Sequence, residues 1–255
     1  MISLDCGTPS VSARGCPNRS IAWSRHYRPG RVRMRISGDS PSPREEVVGD
    51  VTHEPIQVSI AVPLWNEARL LPGLLQALRE QSWPRERMEW IFVDGGSEDE
   101  TLAILGAALP EFAHARLLHN PDRVAAAGLN LALACARGAY FLRLDARSRP
   151  GEDYVARCVA YLQEGKWVGV AGPQIAVGCS DAGQAIALAL NHPLGAGGPS
   201  YRRASAPTES DTLYLGAYST AKLRAIGGWD ATFEANEDYE LNQRLRAAGG
   251  RLLVA

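Results

Sequence analysis

Acidic side chains lie where an α/β protein keeps its chemistry. The apolar run 89–93 (EWIFV) ends at Asp94, the run 139–144 (AYFLRL) ends at Asp145, and the β-rich run 57–63 (QVSIAVP) leads into Pro63-Leu64-Trp65-Asn66-Glu67. In open α/β sheets ligands collect beyond the carboxyl ends of the strands, so an acid just past a strand end can accept hydrogen bonds from a ligand or hold a cation. Asp99 lies in the acidic run 97–100 (SEDE), and Glu237 and Asp238 follow Asn236 at a helix start. Each acid also has a plainer reading. Asp94 and Asp145 can simply end strands in turns, Glu67, Glu237 and Asp238 gain from the positive end of a helix dipole, and Ser97 and Glu100 form a capping pair, with Asp99 open to either role.

The elements that must position these residues alternate. After strand 57–63, Asn66 is expected to cap a helix whose leucines at 70, 71, 74, 75 and 78 form one apolar stripe, with Pro72 in the first turn. Strand 89–93 precedes a helix near 99–108; strand 115–119 precedes helix 124–136; strand 139–144 precedes helix 152–164; and strand 168–171 follows. This order predicts an α/β fold with a mainly parallel central sheet and helices on both faces. Beyond 172 the pattern weakens through a helix at 182–190, a Gly/Pro/Ser-rich stretch at 192–210 and a strand-like 212–218, before a last helix from about 237 to 248 with Asn236 as N-cap and Gly249 as stop.

Composition narrows the function. The 255 residues are 45% hydrophobic and 22% charged, with a formal net charge of −1, so no global field draws the chain to nucleic acid. No apolar run reaches the roughly 18–20 residues of a membrane-spanning helix. Five cysteines without CxxC spacing read as thiols of a reducing compartment. Residues 1–35 hold seven Arg, no Lys and one Asp, a net charge of +6. With the Pro-bearing segment that follows, residues 1–55 read as an Arg/Ser/Pro-rich extension unable to build a core. No GxGxxG follows a strand, and no GxxxxGK[ST], GxSxG or zincin pair occurs, so dinucleotide, P-loop, serine-hydrolase and metalloprotease readings fail.

Four strings in order resemble the family 2 glycosyltransferases, whose fold is called GT-A. VPLWNE (62–67) is similar to the opening PxxNE signature, VDGGSEDET (93–101) to the VDDGSxDxT segment, RGAYFLRLDAR (137–147) to the strand running into DxD, and NEDYELNQRLRAAGG (236–250) to the ED motif and its helix. DGG for DDG, DAR where relatives show DAH, DTLYLGAY (211–218) and IGGWD (226–230) resemble the succinoglycan-type exopolysaccharide enzymes. The resemblance covers roughly 56–253 and implies an inverting hexosyltransferase, with 56–150 as the nucleotide-sugar half and 151–255 as the acceptor half. It places Pro63, Glu67, Asp94, Asp99, Asp145 and Arg147 around the donor, Asp145 on Mg²⁺ or Mn²⁺, and Asp238 as general base beside Glu237. Trp229 is either an acceptor-facing aromatic or core. The implied donor is a UDP-sugar and the implied acceptor a polysaccharide or a lipid-linked glycan. The implied location is cytoplasmic, in peripheral association with the inner face of the cytoplasmic membrane. Relatives of this type continue past the ED helix, so the chain is expected to be cut short there.

Arg147 opens two readings of the metal site. A guanidinium stays protonated and has no lone pair for a cation, so either Asp145 and a diphosphate hold the metal, or Arg147 grips the diphosphate and partly replaces it. Two further readings stand beside the transferase: a non-catalytic sugar-nucleotide-binding or scaffold protein, and a nucleotidyltransferase of the same fold. The second lacks its usual Gly-rich, basic loop after the first strand.

Overall fold

A computed structural model describes residues 2–6, 55–178, 180–192, 195, 200–202 and 204–255. In chain order its elements are β1 (Ile2–Cys6), β2 (Val58–Leu64), α1 (Leu71–Arg79), β3 (Met88–Asp94), α2 (Thr101–Ala108), β4 (Ala115–His119), α3 (Ala125–Cys135), β5 (Tyr140–Arg143), β6 (Ser148–Pro150) and α4 (Tyr154–Gln163). There follow β7 (Gly169–Ala171), β8 (Gln174–Gly178), α5 (Asp181–Asn191), β9 (Thr208–Ser210), β10 (Ala217–Ser219), α6 (Thr220–Ala225), α7 (Glu237–Ala247) and β11 (Leu252–Val254).

Among the described residues, eight strands form the central sheet in the order β4-β3-β2-β5-β10-β7-β11-β9, and β6-β1-β8 form a smaller one. Alternation along β2 and β3 builds two cores. Val58, Ile60, Val62, Trp90 and Phe92 face α1 and α4, while Ala61, Ile91 and Val93 face α3 and α7. Both faces are therefore covered, which is why these strands read as continuous apolar runs rather than alternating ones. Parallel register sets Leu64 beside Asp94 and Ala61 beside Arg143. That alignment brings three strand ends, and the loops beyond them, to one edge of the sheet.

The described central sheet is mixed: β10 runs antiparallel to both β5 and β7, and β9 antiparallel to β11. The expected strand over 212–218 is replaced by irregular chain, with Leu215 at φ 53°, and by the short β10. Three-residue strands such as β6, β9 and β11 carry too little periodicity to be read from sequence. Within the stretch expected to lack structure, Ile2–Cys6 pairs in parallel with β8 and antiparallel with β6. The rest of the extension reading, residue 1 and residues 7–54, lies outside the described residues.

Glu89, fully buried on β3, ties the sheet to its surroundings. Its Oε1 accepts from the Ser59 hydroxyl at 2.6 Å and the Arg137 amide at 2.5 Å, and its Oε2 accepts from Arg116 at 2.5 Å and Arg137 Nε at 2.9 Å. Burial alone would raise its carboxyl, but the hydrogen bonds from Ser59 and Arg137 and the charge of Arg116 outweigh that and hold it below the usual range. A carboxyl depressed in the folded state contributes stability above its unfolded value, about 4.3, and loses it as pH falls through the folded value. Glu89→Gln should therefore be less thermostable than wild type at pH 7, and the gap should shrink below about pH 4. Thermal scans at both pH values check this; a constant gap would assign the effect to shape rather than charge.

Candidate active site

Two loops at the sheet edge are stitched together by side chains acting as caps. Asn66, in the left-handed region at φ 53°, accepts from the amides of Glu98 (2.8 Å) and Asp99 (3.3 Å), while its own amide donates to Ser97 Oγ at 2.9 Å. In return the Asp99 carboxylate accepts from the Ala68 amide (3.1 Å) and the Thr101 amide (2.9 Å), and Thr101 Oγ1 accepts from the Glu67 amide at 2.8 Å. The expected caps are thus exchanged. Asn66 caps the opposite loop rather than its own helix, which begins later, at Leu71, and Asp99 serves the start of α2 where Ser97 and Glu100 were expected to. Hydrogen bonds from two Thr101 groups and from Ala68 outweigh burial and hold the Asp99 carboxyl below its ordinary value.

Asp94 turns inward. It is buried, and its carboxylate accepts from the amides of Gly96 (2.8 Å) and Ser97 (3.1 Å), fixing the turn that follows β3. Between this turn, the 63–67 segment and the end of β5 opens a cleft of about 580 Å³, whose walls include Pro63, Glu67, Asn120, Asp145 and Arg147. Four of the six residues expected around a donor line it; Asp94 and Asp99 shape its loops from behind. Arg147 spans part of the opening, with Nη2 3.2 Å from Glu67 Oε1.

A second cleft of about 720 Å³ carries Tyr201, Asp211, Tyr214, Glu237, Asp238 and Tyr239 in its lining. Arg143 lines both clefts. Its side chain is only 7% exposed, with Nη1 donating to Glu237 Oε1 at 2.8 Å and Asp238 Oδ1 at 2.5 Å, and Nε 3.4 Å from Asp145 Oδ1. Sequence reasoning misses Arg143, because an arginine inside an apolar strand has no motif of its own. The signal that could have found it is a charge at the buried end of AYFLRL, which requires buried acids opposite.

Asp238 also accepts from Trp229 Nε1 at 3.1 Å. Trp229 is 2% exposed and tilts against Phe141 at 5.6 Å, so of its two expected roles the structure assigns it to the core. Asn130 on α3 clamps its backbone from both sides, accepting from the Trp229 amide at 2.9 Å and donating to its carbonyl at 2.7 Å. Gly228, at φ 71°, permits that approach: a Cβ there would lie 2.4 Å from Asn130 Oδ1. Asn236 occupies the expected N-cap of α7 but sits at φ 62° and makes no side-chain cap bond. Burial lifts the Asp238 carboxyl above its ordinary value; Arg143 opposes that lift, and Glu237 and Asp145 add to it.

For a divalent cation the fit rests on one carboxylate. Asp145 faces the first cleft with Arg143 and Arg147 on its flanks, and no group of three or more His, Cys, Asp or Glu side chains is placed to hold a metal among the described residues. Mg²⁺ often binds through one or two carboxylates plus substrate phosphates, so Asp145 fits a cation that arrives with a diphosphate.

A mixed sheet opening at its strand ends onto adjoining clefts, one with Asp145 and one with an acid pair on a helix start, defines a nucleotide-diphospho-sugar transferase architecture of the GT-A type. The family described as Glycosyl transferase family 2 matches residues 59–211, and the chain belongs to that family. It is 32% identical over 195 residues to the succinoglycan biosynthesis protein ExoA of Rhizobium meliloti, covering 76% of this chain and 59% of that protein. It is 25% identical over 203 residues to a dolichyl N-acetyl-alpha-D-glucosaminyl phosphate 3-beta-D-2,3-diacetamido-2,3-dideoxy-beta-D-glucuronosyltransferase of Methanococcus voltae, covering 76% and 63%. Among solved structures, the mannosyltransferase PcManGT of Pyrobaculum calidifontis, in complex with GDP-Man and Mn²⁺, superposes with TM-score 0.61 at 22% identity over 84% of this chain and 58% of that one. TarS of S. aureus in complex with UDP-GlcNAc superposes with TM-score 0.62 at 19% identity over 78% and 56%. The chain thus spans about three fifths of the length of these relatives.

Proposed function

We propose that this chain moves a sugar from a nucleotide diphosphate donor, UDP-linked, to a hydroxyl of a polysaccharide or lipid-linked acceptor, with inversion at the transferred carbon. The observation that carries this reading is the junction at Arg143, where a cleft holding Asp145 and Arg147 meets one holding Glu237 and Asp238. The sugar nucleotides bound by the two structural relatives support the donor class, and the likeness to ExoA supports a polysaccharide-type acceptor. The transfer is assigned to a cytoplasmic enzyme at the inner face of the membrane; no helix among the described residues is long and apolar enough to cross it.

In this reading the donor lies along the first cleft, with Pro63 and Glu67 toward the nucleoside and Asp145 and Arg147 toward the diphosphate. Asp94 and Asp99 act by holding the loops. The acceptor hydroxyl enters from the second cleft. As its oxygen bonds to the anomeric carbon, the bond from that carbon to the phosphate oxygen breaks, the pair of electrons leaves with UDP, and the hydroxyl proton passes to Asp238. A carboxyl lifted by burial is a stronger base than an exposed one, which suits that task. A Mg²⁺ or Mn²⁺ ion on Asp145, when bound, supplies positive charge to the departing diphosphate.

Calorimetry with UDP, UDP-sugars, GDP-mannose, AMP and NAD tests the donor class. UDP-sugars should bind best, and Asp94→Ala should weaken them by loosening the turn; equal binding of AMP or NAD would refute the assignment. Arg147→Ala is expected to weaken UDP-sugar binding by roughly tenfold or less, since the side chain is half-exposed, and to increase dependence on added Mn²⁺. Coincident Mn²⁺ titrations for variant and wild type would instead leave Arg147 as a surface partner of Glu67, with the cation held by Asp145 and the diphosphate.

A further inference from the structure

Both hydrogen bonds found on Asp238 fall on the same oxygen. Arg143 Nη1 and Trp229 Nε1 each donate to Oδ1, and among the described residues no bond to Oδ2 is found. A carboxylate held by one oxygen has a fixed plane, and its second oxygen keeps its lone pairs for a proton. The holder is itself fixed: Arg143 ends β5, where the Arg143 amide donates to the Gly216 carbonyl at 3.1 Å and the next amide, Leu144, to Ala61 at 3.0 Å. Asn130 fixes Trp229 on the other side.

We propose that Arg143 is a positioning residue for glycosyl transfer, holding Oδ1 of Asp238 so that Oδ2 receives the acceptor proton, and keeping that carboxylate ionised beside Glu237. This rests on the transfer reading above. The electrostatic half follows from the surroundings. Asp238 is faced by Glu237 on its own helix, by Asp145 beyond β5, by the buried hydroxyl of Tyr218 on β10, by Tyr214 and by the Trp229 indole. Among the described residues, Arg143 is the cation within hydrogen-bonding distance of Asp238 and Glu237 together. Without it, burial and two neighbouring carboxylates would favour a protonated Asp238, which cannot act as a base.

Nucleotide release from a UDP-sugar, followed against pH, separates this role from a merely structural one. In Arg143→Met the acidic limb of kcat should move up by about 1–3 pH units, because a close opposite charge depresses a carboxyl by that much. Turnover at neutral pH should fall, with part of the loss recovered at higher pH, while UDP affinity by calorimetry stays within a few-fold of wild type. Arg143→Lys keeps the charge without the fork, so its limb should stay near wild type while kcat drops; it carries the test if the Met variant does not fold. Trp229→Phe removes the other bond on Oδ1 and should shift the limb upward by less. An unmoved limb in Arg143→Met, or UDP affinity falling by the same factor as turnover, would overturn the proposal. A wild-type chain that binds UDP-sugars and releases no nucleotide would overturn the transfer reading, and the proposal with it, whereas active wild type with unaltered variants overturns the proposal alone.

Discussion

Asp238→Asn should lower turnover by roughly 10²–10⁴ and leave UDP affinity nearly unchanged. Asparagine keeps the shape of the side chain and retains an oxygen for Arg143 Nη1 and Trp229 Nε1, so the packing around it survives. What disappears is the ability to take up a proton. In the proposed mechanism that loss falls on the transition state rather than on donor binding, because Asp238 lines the second cleft and not the first. Nucleotide release from saturating UDP-sugar measures the first quantity and calorimetry the second. A variant that keeps most of its turnover would remove Asp238 from the chemistry, and Glu237→Gln, measured alongside, would show whether the neighbouring acid serves instead.

Phe141→Ala should be the most damaging of the core truncations adjoining the site. Phe141 is fully buried in the middle of β5, against α3 and the Trp229 ring at 5.6 Å. Removing a buried phenyl costs about 3–5 kcal/mol, from lost burial and from the cavity left behind. For a domain of this size each kcal/mol lowers Tm by roughly 2–4 °C, so the fall should be about 6–20 °C. The cavity also opens beside the indole that holds Asp238, so turnover of the folded fraction should decline further than UDP binding does. Thermal unfolding followed by kinetics well below the variant's Tm separates the two effects; a drop of only a degree or two would mean that α3 closes over the space.

Much of the fold is legible because its central strands are buried on both faces. WIFV (90–93) and IAVP (60–63) have to be apolar, and the stripe of leucines on α1 has to recur at helical spacing, so composition and period expose them. Polar positions at the ends of such strands stand out for the same reason, which marks the 63–67 segment, Asp94 and Asp145 alike, although of the two aspartates Asp145 lines the cleft and Asp94 does not. The second half resists because β7, β9, β10 and β11 are each three residues long, too short to show a period.

The sequence by itself determined the alternating α/β order, the strand-end positions of the acids and the family strings that group them, because these depend on local burial and on spacing along one segment. Where each acid's carboxylate points was decided by the tertiary structure. Asp94, Asp99 and Asp145 look alike in sequence, yet the first two have their carboxylates turned onto backbone amides while the third faces a cleft. Arg143 and Asp238 stand 95 residues apart and share a bond of 2.5 Å. Charge pairing of that kind has no periodicity to betray it: it arises only when the sheet edge and the start of α7 are folded together, and low local polarity then makes the charge of Asp238 depend on where Arg143 lies.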